Sequence, residues 1–569
     1  MRWATSTVYQ VYPRSFADSD GDGVGDLRGI IGRLDYLQRL GVDVVWVSPF
    51  YRSPMIDNGY DISDYQDVDP LFGTLGDVDD LIAGLHARGM KLVIDVVINH
   101  TSTAHPWFLE SRSSRDSPKR EWYWWRPPRQ GFALGAPGAE PTNWISFFSE
   151  PVWEADDATG EYFLHLFARE QPDLNWEHEP VRQALYAMLR WWLDRGVDGF
   201  RMDVINLVSK ELPLRDGEPM PGTPFGNGFP LFTCGPRIHE FMAELHREVL
   251  APYRAAGRDL ITVAETPGAT TEDAVLFTDP ARGEVDMVFQ FEHMAVGRGQ
   301  SRFEVTPWTL PQLKAIMHRW QEALGRTGWN SLYWNNHDQP RVVSRFGSRR
   351  PEFREASAKA LATALHLQRG TPYVYQGEEL GMTNFPFEAV EQLVDVESVN
   401  YHALRRAAGA PPEKVLPGLV EGSRDNARTP MQWDAGPNAG FTTGVPWLPV
   451  NPNHEHINAA AQVDDPGSVF SWYAALIAMR RELPVVALGD FLPLAQQHEQ
   501  LWAFVRRLDT ERLLVLVNMS DEPVRIDPAA LTAELGAPAY PPSGPPILAT
   551  HVDPAPDRLR PWEASVWRL

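Results

Sequence analysis

Short apolar segments that alternate with amphipathic helical segments are the feature that most restricts how this chain can fold. The first helical segment, DLRGIIGRLDYLQRLG, lies between the strand-like segments VYQVYP and VDVVWVSP. Its apolar residues fall on one face of a helix, at Leu27, Ile30, Ile31, Leu34 and Leu37. Further strand-like segments are KLVIDVVINH, VDGFRMD, LITVAE, VDMVFQF, SLYWNNHD and TPYVYQGEE. Eight strands with intervening helices predict the α/β class and a parallel (β/α)8 TIM barrel, whose active site lies at the carboxyl ends of the strands.

Two interruptions of this alternation suggest the domain organisation. Residues 102–174 are rich in Trp, Phe, Pro, Ser and Gly, and we interpret them as an inserted subdomain, domain B, after strand three rather than a long disordered loop. The barrel, domain A, is then expected over residues 1–101 and 175–483, including an irregular region at about 380–460. The short strand patterns LWAFVRRL and LLVLVNM predict a separate antiparallel β domain, domain C, over residues 484–569.

The composition limits the classes of molecule that the chain is expected to bind. A hydrophobic fraction of 43% and a charged fraction of 22% over 569 residues are typical of a globular protein. The formal charge of −23 would repel nucleic acid and anionic membrane surfaces, so we expect neither as a partner and expect a neutral or cationic small-molecule ligand. The single cysteine, Cys234, cannot form an intrachain disulfide, and we expect it to serve packing rather than nucleophilic catalysis.

The sequence also bears on the location and the oligomeric state of the protein. MRWATSTVYQVYPRSF lacks the basic start and the apolar stretch of a secretory signal, and the chain contains no run of about 18 apolar residues that could span a bilayer. We therefore expect a cytoplasmic protein. The sequence leaves open whether it is a monomer or a homodimer.

Acidic residues stand where three of the apolar strands end, at Asp203, Glu265 and Asp338. A carboxylate at the mouth of a buried strand is costly to desolvate, so its repetition suggests chemistry. Arg201 lies two residues before Asp203 and shares its face of the strand, where the guanidinium can hold the carboxylate ionised. A structural ion pair could explain Arg201 and Asp203 alone, but not Glu265 and the pair formed by His337 and Asp338. Convergent carboxylates, with no phosphate-binding loop or redox motif, predict glycoside hydrolysis without an organic cofactor.

Several ordered motifs carry a family resemblance that covers essentially the whole chain. DVVINH, GFRMDVIN, NNHDQPR and QPDLNW resemble the motifs of the α-amylase superfamily, glycoside hydrolase family 13, and specifically its branch of oligo-1,6-glucosidases, dextran glucosidases and α-glucosidases. The resemblance implies that Asp203 is the nucleophile, which forms a covalent β-glucosyl-enzyme, and that Glu265 is the general acid and then the base. Asp338 would brace the distorted sugar through its hydroxyls. A retaining pair of this kind is expected to place its carboxyl groups about 5 to 5.5 Å apart.

The resemblance also implies a set of substrate-binding residues. Asp57 and Arg424 would grip sugar hydroxyls, Tyr60 would stack on the ring, and the histidines would donate hydrogen bonds that strengthen in the transition state. Val204, directly after the nucleophile, resembles the residue of α-1,6-acting members. The complete set is Asp57, Tyr60, His100, Phe167, Gln171, Arg201, Val204, His337 and Arg424.

The leading interpretation is a retaining, exo-acting α-glucosidase that hydrolyses short oligosaccharides from the non-reducing end and prefers α-1,6 bonds. Alternatives are an α-1,4-preferring α-glucosidase and a glucosyl transferase or isomerase that acts on sucrose or maltose. Sucrose isomerases carry an RLDRD segment beyond the His-Asp motif, where this chain has RVVSRFGS. A non-catalytic protein similar to the heavy chains of amino-acid transporters would have lost the carboxylates that this chain keeps.

A possible metal site lies near the start of the chain. Its oxygen ligands, Asp18, Asp20, Asp22, Val24 and Asp26, fall at alternate positions, with glycines that permit tight turning around a hard cation. The segment lacks the bidentate Glu that closes an EF-hand loop. In the branch that the chain resembles, the corresponding loop binds a structural Ca²⁺ or Mg²⁺, so we expect one ion without a catalytic role. A solvated acidic turn is the alternative.

Overall fold

The computed structural model describes residues 2–221, 223–535, 542 and 544–569. Its central sheet consists of parallel strands that are buried on both faces, which explains their almost uninterrupted apolar sequences. These strands are β1 (Val8–Val11), β2 (Val44–Val47), β3 (Lys91–Val96), β4 (Gly199–Met202), β5 (Ile261–Glu265), β6 (Met287–Phe289), β7 (Ser331–Leu332) and β8 (Thr371–Tyr375). Their order is β6-β5-β4-β3-β2-β1-β8-β7, and a parallel bridge from Val288 to Asn330 closes the ring. The predicted (β/α)8 barrel is confirmed.

Helices pack around the barrel between these strands. The longer ones are Leu75–Ala87, Glu179–Arg195, Ile238–Leu245, Thr271–Thr278, Leu310–Leu324, Arg354–His366 and Val469–Glu482. Thr74 and Asp77 form a reciprocal capping box that explains where the first of these begins. The segment predicted as one helix between β1 and β2 is two helices, Leu27–Ile31 and Leu34–Leu40, which are separated at Arg33, whose φ of −115° and ψ of 10° are not helical.

The segment inserted after β3 contains little regular structure but has a core of its own. It comprises a helix, Pro106–Arg112, and an antiparallel sheet of Trp125–Arg126, Glu161–Leu164 and Trp153–Asp156 in that order. Its buried tryptophans, among them Trp144, pack with Leu207 and Phe232 from the barrel segment that follows β4. The insert therefore covers the barrel on the side where Asp203 lies. The residue boundaries given to the domains stay predictions.

The region at about 380–460 is less irregular than its sequence suggested. It contains the helices Val396–Ala407 and Pro412–Gly422, which pack against Phe303 and Phe387 in a small separate core. The sequence analysis did not identify these helices, although both are amphipathic.

The carboxyl-terminal part is an antiparallel sheet, as predicted. Its strands are β9 (Asp490–Leu494), β10 (Leu501–Leu508), β11 (Glu511–Asn518), β12 (Leu548–Ala549) and β13 (Ala564–Arg568), in the order β9-β10-β11-β13-β12. Lys314, on the barrel helix Leu310–Leu324, reaches this sheet and donates hydrogen bonds to the carbonyl oxygens of Ala495, His498 and Leu501, each at 2.8 Å. In the part of the chain that the structure describes, we find no helix with the length and apolar character needed to cross a membrane.

Candidate active site

The three acidic residues singled out from the sequence meet in one cavity at the carboxyl ends of the barrel strands. Asp203 directly follows β4, and Glu265 is the last residue of β5. Asp338 lies well beyond β7, which ends at Leu332 and is much shorter than the predicted strand. All three side chains line a cavity of about 210 Å³. Both Asp203 and Glu265 are almost completely buried, so few waters compete for their charges.

One guanidinium group, that of Arg201, organises the carboxylates of neighbouring strands. Its Nη1 lies 2.8 Å from Asp95 Oδ1 and 2.6 Å from Asp203 Oδ1, and its Nη2 lies 2.5 Å from Glu265 Oε2. Asp95 was not among the predicted site residues. It could have been found, because it is an acidic residue within the apolar strand KLVIDVVINH, and such a residue needs a partner.

Burial raises the pKa of the Asp203 and Glu265 carboxyl groups to about 7, against the opposing effect of Arg201. Arg201 brings the two carboxyl groups together, because each of them contacts one of its terminal nitrogens. The two groups titrate as a pair that holds about one proton near neutral pH. Two carboxyl groups held against one guanidinium suit a retaining pair, which needs its carboxylates close together.

Asp338 has the opposite electrostatic environment. Burial alone would raise its pKa, but His337, Arg424 and Arg428 hold that pKa well below the usual value. Arg428 Nη2 lies 2.7 Å and Arg424 Nη1 lies 3.4 Å from Asp338 Oδ1. Burial lowers the pKa of His337, so the arginines are the groups that keep Asp338 ionised at neutral pH.

Polar side chains form one wall of the cavity. Arg424 Nη2 lies 3.0 Å from Asp57 Oδ1, and Gln171 Nε2 donates to Asp57 Oδ2 at 3.2 Å. The Nε2 atoms of His100 and Gln171 are 3.2 Å apart. Burial lowers the pKa of His100 to about 4, so this imidazole is neutral at pH 7. The ring of Phe167 lies 5.0 Å from that of His100 and adds an apolar edge.

Tyr60 presents a ring that is fixed from two sides. Its hydroxyl donates to Asp95 Oδ2 at 2.9 Å, and its ring stacks on His337 with the centroids 5.1 Å apart and the planes 6° apart. His337 Nδ1 in turn lies 2.8 Å from Gln10 Nε2. These contacts leave little freedom to a ring that lines the cavity.

Val204 adopts a backbone conformation that is unusual for a β-branched residue. Its φ of 35° and ψ of 38° fall in the left-handed region, and its N–H donates to Glu265 Oε2 at 3.1 Å. Strained residues of this kind persist where the surrounding structure holds them, often at functional sites. Here the strain directs a backbone donor at a carboxylate of the cavity.

The structure brings the predicted catalytic and substrate-binding residues together. Those that line the cavity are Asp57, Tyr60, His100, Phe167, Asp203, Val204, Glu265, Asp338 and Arg424. The remaining three lie directly behind it, and they are Gln171, Arg201 and His337.

Sequence reasoning missed the other lining residues. They are Phe147, Phe148, Pro267, Phe291, Arg302, Gln339 and Glu397. Arg302 Nη1 lies 3.2 Å from Glu397 Oε2, and Glu397 lies 3.7 Å from Arg424 Nε. Asp395, also missed, lies 2.6 Å from Arg424. Asp395 and Glu397 belong to the region predicted as irregular, where Asp395 caps the helix Val396–Ala407 and Glu397 lies in its first turn.

The acidic loop after β1 brings part of the predicted metal site together. Asp18, Asp20 and Asp22 each offer a carboxylate oxygen, and these oxygens lie within 4.8 Å of one another. The Asp26 carboxylate instead accepts from the backbone N–H and hydroxyl of Ser19 and from Gly29 N, where it caps the helix Leu27–Ile31. Three clustered carboxylates form a donor set that suits a hard cation such as Ca²⁺ or Mg²⁺.

Cys234 lies half-buried in the segment that precedes helix Ile238–Leu245, and its Sγ accepts from Asn206 Nδ2 at 3.4 Å. Burial raises the pKa of this thiol to about 11. A nucleophilic cysteine needs a lowered pKa, so the environment does not favour a reactive thiolate.

Comparisons with a family model, with individual proteins and with solved structures agree with one another. The model of the α-amylase catalytic domain matches residues 10–489. An oligo-1,6-glucosidase of Parageobacillus thermoglucosidasius is 50% identical over 100% of this chain and 99% of its own length. An oligo-1,6-glucosidase of Halalkalibacterium halodurans is 48% identical over 99% of this chain and 98% of its own. Among solved structures, a mutant isomaltulose synthase of Erwinia rhapontici in complex with sucrose superposes with a TM-score of 0.92 at 40% identity, over 100% of this chain and 99% of its own. The chain belongs to the α-amylase family of glycoside hydrolases.

Proposed function

We propose that this protein is a retaining, exo-acting α-glucosidase that releases glucose from the non-reducing end of short α-1,6-linked oligosaccharides. The observation that carries this proposal is the Asp203 and Glu265 pair. The two carboxyl groups come from adjacent barrel strands, line one cavity and share the Arg201 guanidinium. A retaining glycosidase needs such a pair, with one group ionised and the other protonated.

In the first step, a carboxylate oxygen of Asp203 attacks the anomeric carbon while Glu265 gives its proton to the glycosidic oxygen. The bond to the leaving sugar breaks, and a β-glucosyl ester with Asp203 forms. In the second step, the Glu265 carboxylate takes a proton from water, whose oxygen attacks the same carbon and releases Asp203. Two inversions restore the α configuration. The pKa of about 7 for each group suits this exchange of one proton at neutral pH.

Asp338 supports both displacements without exchanging a proton. Arg424 and Arg428 keep it ionised, so it can accept hydrogen bonds from sugar hydroxyls throughout the cycle. Such bonds become stronger as positive charge develops on the ring in the oxocarbenium-like transition state. The neutral His100, which lines the cavity, can donate to the same sugar without adding a competing cation.

Exo-action is supported by the polar wall of the cavity. Asp57, Arg424 and Gln171 bond to one another and are all almost fully buried. Buried groups of this kind can bind the hydroxyls of a terminal sugar, whereas a sugar chain that continued past them would have to break the contacts that they make with one another. The arrangement therefore suits a terminal glucose rather than an internal one.

Preference for α-1,6 bonds is supported by Val204 and by the relatives that carry the name oligo-1,6-glucosidase. A second candidate is isomerisation of sucrose, which is favoured by the similarity to an isomaltulose synthase. The segment RVVSRFGS, at residues 341–348, disfavours this candidate because it differs from the RLDRD segment of sucrose isomerases.

A time course with isomaltose, maltose and sucrose distinguishes the candidates. We expect isomaltose to be cleaved fastest, with α-glucose as the first product in an NMR spectrum recorded before mutarotation. Faster cleavage of maltose would overturn the linkage preference, and isomaltulose or trehalulose as the main product from sucrose would favour the isomerase. Release of β-glucose would contradict the double displacement.

We also propose that Asp18, Asp20 and Asp22 hold one structural Ca²⁺ or Mg²⁺, while enzymes of this family generally need no organic cofactor. The ion would fix the loop in place. Asp18 also accepts from the Thr442 hydroxyl, so the loop is tied to the segment after β8. Elemental analysis of dialysed protein and the change in Tm on adding EDTA test this proposal. Asp20→Ala should lose the ion, whereas Asp116→Ala, which removes an exposed carboxylate elsewhere, should keep it.

A cytoplasmic location and a monomeric or homodimeric state stay predictions from the sequence. Fractionation of the producing cells and sedimentation velocity would test them.

A further inference from the structure

A second cavity, of about 310 Å³, is lined by basic side chains. It lies among the loop that follows β6, the helix Val342–Phe346 and the segment after β8. Three arginines line it, Arg298, Arg345 and Arg349, together with one carboxylate, Glu421. We call it the arginine cavity. Its lining carries an excess of positive charge, although the chain as a whole has a formal charge of −23.

Arg298 has a guanidinium group that forms no ion pair with a described residue, and the charge of Glu421 offsets its burial only in part. Its Nη1 is buried and has no hydrogen-bond partner in the described part of the chain, and the ion pairs found there do not include it. Burial, together with the charge of Arg302, lowers the pKa of Arg298. A buried donor without a partner is unfavourable, so a buried guanidinium normally has an acceptor.

Arg345 is likewise held without a carboxylate. Its guanidinium donates to the carbonyl oxygens of Met294 and Val296 and lies 3.4 Å from Gln339 Oε1. Burial, together with the charges of Arg298 and Arg302, lowers the pKa of Arg345 to about 9. Neutral acceptors orient this group but leave its charge uncompensated.

The remaining lining groups add donors and little negative charge. Glu421 Oε1 lies 3.1 Å from the exposed Arg349 and is therefore already paired. Ser344 Oγ accepts from Asn384 N at 2.9 Å, which leaves its hydroxyl hydrogen available for donation. Guanidinium groups bind oxyanions through paired hydrogen bonds, and several of them with a hydroxyl form a suitable donor set.

We propose that the arginine cavity binds a phosphate-sized oxyanion, either free or carried by a small sugar. The cavity lies beside the catalytic one, because Gln339, which contacts Arg345, also lines the catalytic cavity. An oxyanion here would neutralise Arg298 and Arg345 and stand close to the reacting sugar. The site is independent of the proposed hydrolysis and is tested separately from it.

Titration calorimetry with inorganic phosphate and with glucose 6-phosphate tests the proposal, and glucose is the uncharged control. We expect millimolar or tighter binding of at least one anionic probe, weakened by added sodium chloride because salt screens the attraction. Arg298→Met should weaken binding at least tenfold, and Arg298→Lys should weaken it less. Arg350→Met, which removes an exposed arginine paired with Glu352 outside the cavity, should leave binding unchanged.

The binding measurements distinguish a sugar-borne anion, a free anion and the absence of an anion site. Tighter binding of glucose 6-phosphate than of phosphate, weakened in Arg298→Met, would identify a sugar-borne anion. Equal binding of both probes would identify a free anion. Absence of binding at millimolar concentration, or the same affinity in wild type and in a folded Arg298→Met variant, would refute the proposal. Near-UV circular dichroism and Tm establish that the variant is folded.

Discussion

The backbone N–H of Val204 donates to Oε2 of Glu265 at 3.1 Å, from a residue whose φ of 35° lies in the left-handed region. The residue after Asp203 thus donates a hydrogen bond to Glu265, the other carboxyl group of the proposed catalytic pair. A β-branched side chain is unfavourable in this conformation, so the surrounding packing must maintain it. Val204 combines two functions, since its backbone orients Glu265 and its side chain lines the cavity.

We expect Val204→Ala to weaken the preference for isomaltose over maltose without abolishing activity. The substitution keeps the N–H donor and removes apolar atoms from the cavity wall, a change that alters discrimination by about 1 to 3 kcal/mol, or roughly tenfold or more. The ratio of the kcat/KM values for the two disaccharides measures it. Val208→Ala, a buried substitution just outside the cavity, is the matched control and should leave the ratio unchanged.

Asp203→Asn should lower kcat by at least about a thousandfold, because the amide cannot form the glucosyl ester. The substitution is nearly isosteric, so the fold should persist, and the Tm verifies this. In the wild type, a 5-fluoro-α-glucosyl fluoride probe should label Asp203, as determined by mass spectrometry of peptides. Labelling of another residue would contradict the assignment of the nucleophile.

The pH dependence should report the shared proton of Asp203 and Glu265. Burial raises the pKa of each carboxyl group to about 7. Above that pH the pair loses its last proton, so Glu265 cannot act as the acid. Below that pH Asp203 becomes protonated and cannot attack the sugar. We expect kcat/KM to decline on both sides of an optimum near neutrality.

In Glu265→Gln, the amide cannot lose a proton, so the alkaline decline should disappear. Activity should be retained best with p-nitrophenyl α-glucoside, whose leaving group needs no proton. An alkaline decline that persisted in the variant would assign it to another group.

The sequence predicted those parts of the site that depend on the barrel. The carboxyl ends of parallel strands meet at one end of the ring, so Asp203 and Glu265 had to approach one another once the strands were recognised. The same reasoning could have identified Asp95, which stands in a buried strand and bonds to Arg201.

The rest of the site depends on contacts between segments that are far apart in sequence. Arg424 contacts Asp57 across 367 positions, and Arg302 contacts Glu397 across 95. A helical period could have placed the helix that carries Glu397, but it could not show that this helix faces Arg302 and Arg424. The family resemblance supplied Arg424, but neither Arg302 nor Glu397 was identified, and the arginine cavity lies among the same loops.

Glu397→Gln should reduce kcat/KM for isomaltose about tenfold to a hundredfold, the equivalent of about 1.5 to 3 kcal/mol for a hydrogen bond to a charged group. Glu397 is the carboxylate nearest to Arg302 and also faces Arg424, so its neutralisation disturbs two guanidinium groups of the cavity. Glu391→Gln, an exposed substitution in the same region, should have no effect. Equal activity of the two variants would show that Arg302 and Arg424 are held without Glu397.

The contact of Lys314 with the carboxyl-terminal sheet should be a major determinant of stability. The ammonium group donates to the carbonyl oxygens of Ala495, His498 and Leu501, and the side chain is completely buried. Lys314→Met preserves most of the volume but leaves three carbonyl groups without their donor, which should cost about 2 to 5 kcal/mol. Lys414→Met, the same substitution at an exposed position, should change stability by less than about 0.5 kcal/mol. Urea unfolding followed by tryptophan fluorescence measures both. If Lys314→Met were as stable as Lys414→Met, the hydrogen bonds of Lys314 would contribute nothing measurable to the attachment of the sheet.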